Sequence, residues 1–300
     1  MKIRKTILAL AATATVAGLG ACSTESTQPV APVASVGQYA DVNGLHMYYE
    51  VHGAKTERPP LVLLHGALSG IGTDFGQLIP ELSKTRQVIA IEQQAHGRTA
   101  DIDRPLRTPQ MADDTVALLR QLGVERADVL GYSMGAGVAI DVALKAPHLV
   151  HKLVLTSVAL DAKGMHPGLI EGLAALEPSM LDGSEFQRDY LANAPRPQDF
   201  PQMVARVKDH DQNALPSWTP EQIRSITAPV MVVIGDSDII RPEAAVELFR
   251  VVGGGIMGDT PAGLPNAQLL VVPGASHISV VHRPEVLLPA IPSFLDLPVK

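Results

Sequence analysis

The sequence predicts an α/β fold: a mostly parallel central sheet flanked by helices, interrupted late by a helical insertion. Two observations predict it. Short, continuous apolar runs such as Pro60–Leu64, Val88–Ile91 and Val230–Ile234 alternate with stretches whose apolar residues recur at helical spacing. Runs of that kind read as strands buried on both faces, which a parallel sheet covered by helices requires. The 300 residues are also 46% hydrophobic and 18% charged, which gives a large core and excludes a disordered chain.

The elements follow in order. Tyr39–Val42 and Leu45–Val51 form a leading hairpin, and Pro60–Leu64 a buried strand that ends at His65-Gly66. Phe75–Leu82 reads as a helix and Val88–Ile91 as the next strand. Met111, Val116, Leu118, Leu119 and Leu122 place a helix over Met111–Leu122. Ala127–Leu130 is a strand, Met134–Lys145 a helix and Lys152–Leu155 a strand. Val230–Ile234 and Leu269–Val272 are two more strands, with helices at Val246–Val251 and Val286–Leu295. Between Asp161 and Thr219 the rhythm breaks at Pro167, Pro178, Pro195, Pro197, Pro201 and Pro216. That segment, 161–219, reads as a mostly helical cap inserted in a domain spanning 39–297. Gly253-Gly254-Gly255 follows a helix and opens an irregular excursion as far as Leu264. No repeat of solenoid type is present.

The first segment reads as an address. Lys2, Arg4 and Lys5 precede an apolar run from Ile7 to Gly20, the pattern of a secretory signal over residues 1–21. The run is too short and too rich in Ala and Thr for a membrane span. Leu19-Gly20-Ala21-Cys22 resembles the lipobox of bacterial lipoproteins. The resemblance implies cleavage before Cys22 and a diacylglyceryl group on its sulfur. Residues 22–38, dominated by Ser, Thr, Pro, Ala and Val, then form a flexible tether to a membrane. The lipoprotein pattern puts Asp after the lipidated Cys for inner-membrane retention. Ser23 stands there, which favours the outer membrane in a Gram-negative host.

Charge and cysteine narrow the chemistry. Loss of Lys2, Arg4 and Lys5 takes the 24 basic residues to 21, against 31 acidic ones. An acidic body argues against nucleic acid as a partner. Cys22 is the sole cysteine, so the body holds no disulfide framework, Cys-rich zinc site or cysteine nucleophile.

Gly131-Tyr132-Ser133-Met134-Gly135 is the one G-x-S-x-G in the chain, and it falls where a strand meets a helix. A tight turn there exposes Ser133 at the carboxyl end of the sheet, with the helix N-terminus beside it. A serine hydroxyl is a weak nucleophile and needs an imidazole to take its proton. The imidazole needs a carboxylate to fix its tautomer. The developing oxyanion needs backbone N–H groups, for which Met134 and Ala67 are the candidates.

These segments together resemble the serine-nucleophile, capped α/β-hydrolases over roughly Tyr39 to Leu297. His65-Gly66-Ala67-Leu68 resembles the family's oxyanion loop, and Glu92 to Thr99 its D-x-R-G-x-G-x-S segment, with Glu92 and Gln94 in place of Asp and Arg. Ile234-Gly235-Asp236-Ser237-Asp238 resembles the strand end that supplies the acid, and Gly274-Ala275-Ser276-His277 the late histidine loop. The resemblance implies Ser133, Asp238 and His277 as catalytic residues, in the chain order of the family. It selects Asp238 over Asp236, leaving Asp236 to shape the turn. Leu68, Met165 and Trp218 are expected pocket residues, with Met180 and Met203 as further apolar lining.

The other histidines are read as follows. His65 supports the oxyanion loop and His96 packs near the pocket; His46, His52, His148, His151 and His210 are surface or edge residues. His166 lies in the insertion, and His282 is a competitor to His277 for the base role. No H-E-x-x-H, Walker A or EF-hand loop occurs, and no metal or organic cofactor is implied.

The expected activity is hydrolysis of a small ester-type bond, a carboxylic ester or lactone, through an acyl-enzyme. Thioesterase, cofactor-free perhydrolase and carbon–carbon-bond hydrolase use the same residues. A non-catalytic, ligand-binding lipoprotein is the reading of a different class. The expected partners are a small-molecule substrate and, through lipid on Cys22, a membrane.

Overall fold

The computed structural model describes residues 36–299. The signal segment 1–21, Cys22 and most of the tether lie outside them. Eight strands run β1 (Val36–Val42), β2 (Leu45–His52), β3 (Leu61–Leu64), β4 (Val88–Ile91), β5 (Ala127–Tyr132), β6 (Val150–Thr156), β7 (Val230–Ser237) and β8 (Ala267–Ser276). They form one sheet in the order β1-β2-β4-β3-β5-β6-β7-β8. β2 is antiparallel to β1 and β4, and every other neighbouring pair is parallel. β1 starts at Val36, so the last three residues of the expected tether belong to the sheet. Asn43 and Gly44, both at positive φ, turn the leading hairpin.

The helices are α1 (Ile71–Phe75), α2 (Ile79–Leu82), α3 (Thr108–Gln121), α4 (Met134–Lys145), α5 (Leu169–Ala174), α6 (Glu185–Asn193), α7 (Phe200–Asn213), α8 (Pro220–Arg224), α9 (Pro242–Val251) and α10 (Pro284–Leu295). Alternation along each strand divides the core in two. Leu61 and Leu63 face α1, α2 and α10, while Val62 and Leu64 face α3, α4 and α9. The helix expected over Phe75–Leu82 is instead the pair α1 and α2. Pro80 has no N–H for the carbonyl of Gly76, so the first helix stops and a new one starts with Pro80 in its first turn. Residues 161–219 contain α5, α6, α7 and short 3₁₀ turns, with no strand among them. Residues 252–266 form neither helix nor strand.

The sheet order positions the site. From β3 the chain moves to β4 on one side, and from β5 to β6 on the other. Where that direction reverses, the loops leaving the carboxyl ends of β3 and β5 diverge and leave a crevice. His65–Leu68 follows β3 and Ser133 follows β5.

Candidate active site

Ser133 joins β5 to α4 with φ 54° and ψ −118°, a strained conformation for a residue with a side chain. Its N–H bonds Thr156 O at 2.9 Å, and its carbonyl accepts from the amides of Ala136 (2.9 Å) and Gly137 (3.2 Å). The glycines of the motif are a packing requirement. A Cβ on Gly131 would lie 2.2 Å from Gly135 O, and one on Gly135 would lie 2.1 Å from Leu64 O. Both obstacles are backbone, so nothing can rotate away. Gly135→Ala is therefore expected to destabilise the fold by roughly 1–3 kcal/mol or more. A thermal midpoint equal to that of the unsubstituted protein would contradict this.

His277 Nε2 lies 2.9 Å from Ser133 Oγ, and its Nδ1 lies 2.8 Å from Asp238 Oδ1. A carboxylate only accepts, so Nδ1 carries the proton and Nε2 faces the serine with a lone pair. Asp238 is buried, and Oδ1 also accepts from Ile240 N–H at 3.1 Å while Oδ2 accepts from Ser157 Oγ at 2.5 Å. Burial pushes its carboxyl up, but bonds from His277, Ser157 and Ile240 outweigh this and hold it below the usual carboxylate range. Asp236 is exposed and does different work. Its oxygens accept from Gly274 N–H (2.9 Å) and Ala275 N–H (3.3 Å), which shapes the loop leading to His277. Tyr132 steadies the same loop by donating its hydroxyl to His277 O at 2.8 Å.

Ala67 and Met134, the expected oxyanion donors, flank Ser133. Neither amide has a protein acceptor among the described residues. Met134 opens the twelve-residue α4, whose N-terminus adds partial positive charge. The Ala67 loop is braced from below. Asp74 Oδ2 accepts from Gly66 N–H (2.8 Å) and Ser69 Oγ (2.6 Å). His65 accepts from Gln93 N–H at Nε2 (3.0 Å), which leaves the Nδ1 proton for Gly66 O (2.7 Å). His96 accepts from Leu68 N–H at Nε2 (3.1 Å) and donates from Nδ1 to Gln94 O (2.8 Å). Both rings serve as neutral struts. Glu92 accepts from Arg98 through N–H (2.5 Å) and Nη1 (2.9 Å), so the departure from Asp retains an acidic anchor in that loop.

These buried groups set a pH dependence. Burial lowers His65 to about 3, helped by His96, and lowers His96 to about 4. Their neutral forms stabilise the fold fully above about pH 6.5, and that contribution fades on acidification. Burial raises Asp74 to about 6, so it has the opposite sign and gains stability as pH falls from about 6 to 4. Asp74→Asn removes the gain. Its urea midpoint should fall more steeply than wild type between about pH 6 and 4, by the equivalent of roughly 3 kcal/mol. Parallel curves for the two proteins would contradict the assignment.

Ser133 and His277 open onto a cavity of about 260 Å³, lined on the core side by Ala67, Leu68 and Met134. The insertion contributes Met165, Leu173, Leu176, Phe186, Val207 and Trp218. The expected pocket residues Leu68, Met165 and Trp218 are thus all on the wall. Met180 and Met203 are not: Met180 is exposed on a surface turn, and Met203 is buried among the helices. Trp218 is fixed by Asp141, which accepts from its Nε1 at 2.8 Å.

The remaining histidines mostly stand apart. His282 Nε2 bonds Thr73 O at 2.9 Å instead of meeting Ser133, and His46, His148 and His166 are exposed. His210 corrects the sequence reading: it is buried and lines the cavity. Sequence reasoning also missed Ser157, Tyr132 and Asp74. The partners of Ser157 and Tyr132 lie 81 and 145 residues away, whereas those of Asp74, Ser69 and Gly66, are only five and eight residues back.

Comparison with known proteins agrees with this architecture. The family described as the alpha/beta hydrolase fold matches residues 59–219. The chain is 27% identical over 270 residues to the 2-(acetamidomethylene)succinate hydrolase of Mesorhizobium japonicum, covering 81% of this chain and 90% of that protein. It is 25% identical over 274 residues to the hydrolase YugF of Bacillus subtilis, covering 85% and 96%. Among solved structures, carboxylesterase CesB of Bacillus subtilis superimposes with TM-score 0.66 at 22% identity, covering 89% and 94%. The enol-lactonase of Burkholderia xenovorans does so with TM-score 0.65 at 19% identity, covering 86% and 100%. The sheet order, the serine turn after β5 and the family match over 59–219 agree: the chain belongs to the α/β-hydrolase family.

Proposed function

We propose that this hydrolase cleaves a small ester-type bond, a carboxylic ester or lactone, through an acyl-enzyme. One observation carries the reading: Ser133 Oγ, His277 and Asp238 are hydrogen-bonded in series at 2.9 and 2.8 Å, at the edge of a largely apolar cavity. In this reaction Ser133 Oγ attacks the substrate carbonyl carbon as His277 Nε2 takes its proton. Asp238 keeps the Nδ1 proton in place and stabilises the imidazolium. The amides of Ala67 and Met134 hold the oxyanion. Collapse expels the alcohol, which takes the proton from His277. Water, activated by the same imidazole, then releases the acid and restores Ser133.

The insertion acts as a cap whose Leu173, Leu176, Phe186 and Val207 favour an apolar acyl or alcohol part. A fluorophosphonate probe tests the nucleophile, and a panel of p-nitrophenyl esters, lactones and thioesters tests the bond. Labelling at Ser133 with turnover of esters or lactones supports the proposal. A folded protein that neither labels nor cleaves any of them refutes it.

The proposal includes export and anchoring by lipid on Cys22, with residues 23–35 as a tether. Leu19-Gly20-Ala21-Cys22 supports it. A diacylglyceryl group supplies two chains, and stable anchoring takes more than one. Wild-type protein is expected to sediment with membranes, and Cys22→Ser to be released or left uncleaved. Native protein found wholly in the soluble fraction with an unmodified Cys22 thiol would refute the anchor.

A further inference from the structure

Four buried side-chain polar atoms lack a hydrogen-bond partner among the described residues: Arg86 Nε, Gln93 Oε1, Asp141 Oδ2 and His210 Nε2. Of these four residues only His210 lines the cavity that holds Ser133 and His277. Most of the other polar side chains on that wall are engaged. Ser69 donates to Asp74, Ser157 donates to Asp238, Asp161 accepts from Lys163 N–H, and Trp218 donates to Asp141. Leaving a buried imidazole nitrogen unpaired is costly, and such groups in folded proteins commonly have a functional reason.

The tautomer follows from the neighbour. Asp211 Oδ1 lies 3.0 Å from His210 Nδ1, and a carboxylate only accepts, so Nδ1 carries the proton of the neutral ring. Nε2 is then a hydrogen-bond acceptor. His96 cannot satisfy it, because both its nitrogens are bonded, to Leu68 and to Gln94. The helix that carries His210 is also held in place. Arg206 bonds Asp101 Oδ2 at 2.9 Å and Ile102 O at 3.1 Å, and Asp209 accepts from Arg107 at 2.8 Å. These contacts, four residues and one residue before His210, tie α7 to the segment leading into α3, so the imidazole sits on a fixed wall.

We infer that His210, oriented by Asp211, is a specificity-determining residue whose Nε2 accepts a hydrogen bond from a hydroxyl or amide N–H of the substrate. The substrate class is thereby an ester or lactone that is mostly apolar but carries one such donor away from the scissile bond. The inference rests on the hydrolase reading above. It deepens that reading by adding a polar contact to a wall otherwise built mainly from apolar side chains.

The test measures kcat/KM of the full-chain protein on p-nitrophenyl hexanoate and on two counterparts, hydroxylated at the β carbon or at the terminal carbon. Each ester has the same leaving group, so ratios between them report the hydroxyl alone. Wild type is expected to prefer at least one hydroxylated ester. His210→Phe, which keeps an aromatic ring without the acceptor, should lower that preference about threefold to tenfold, through KM. His210→Gln, whose carboxamide oxygen still accepts, should retain more of it than His210→Phe does. Equal kcat/KM for all three esters in wild type would overturn the inference while leaving the hydrolase reading intact. So would a His210→Phe protein that loses the plain and hydroxylated activities in equal proportion. If wild type cleaves none of the esters and Ser133 resists the fluorophosphonate, the hydrolase reading fails and the inference fails with it.

Discussion

Ser133→Ala is expected to lower kcat by about 10⁴–10⁶ while leaving the fold in place. Oγ is the atom that His277 Nε2 faces at 2.9 Å, and among the described residues no second hydroxyl bonds that nitrogen. The backbone contacts that hold the turn, from Ser133 N–H to Thr156 O and from Ala136 and Gly137 to Ser133 O, survive the substitution. So do the close approaches around Gly131 and Gly135. Among the described residues the hydroxyl has one side-chain partner, His277, which is part-exposed, so its loss strands no buried polar atom and the thermal midpoint should move little. Kinetics on one good ester, beside circular dichroism and a melting curve, check both halves. Substantial ester turnover by a well-folded Ser133→Ala protein would end the serine mechanism.

Asp238→Asn should lower kcat by about 10⁴, whereas Asp236→Asn should change it by less than about tenfold. The two residues lie two positions apart but face different partners. Asp238 holds the Nδ1 proton of His277, and Ser157 and Ile240 supply two more donors that favour its charge. An amide in its place no longer stabilises the imidazolium. It can also turn its NH₂ toward Nδ1, which moves the ring proton to Nε2 and leaves nothing to accept from Ser133. Among the described residues Asp236 hydrogen-bonds Gly274 N–H, Ala275 N–H and Ser237, so its substitution loosens a loop without reaching the imidazole nitrogens. If Asp236→Asn were the dead variant and Asp238→Asn stayed active, the roles would be exchanged.

Legibility in the sequence followed the range of each interaction. Strands β3, β4 and β7 read directly from apolar runs, because burial on both faces writes itself into consecutive residues. The serine turn read from five residues, because the steric demand on Gly131 and Gly135 is set within a few residues and one neighbouring strand. The single helix expected over Phe75–Leu82 failed on Pro80, whose missing N–H outweighed the apolar spacing. His210 looked like a surface residue because α7 is polar over much of its length. Yet it stands three residues after Val207 on the stripe Phe200, Met203, Val204, Val207, whose helical spacing marks the buried face of α7.

The sequence by itself determined the α/β class and the place of Ser133 at the end of β5, which rest on residues adjacent in the chain, where covalent geometry and periodicity limit what the backbone can do. Resemblance to the family named the candidates Asp238 and His277, and the need for backbone donors near Ser133 named Ala67 and Met134 as candidate oxyanion amides. Only the tertiary structure decided which aspartate meets His277, that Ser157 bonds that aspartate, that His65 and His96 are neutral struts, and that His210 lines the cavity. The physical reason is separation. His277 lies 39 residues from Asp238 and 144 from Ser133, and Ser157 lies 81 from Asp238. Hydrogen bonds that reach no further than about 3 Å join these groups only after the sheet has brought its carboxyl ends to one rim.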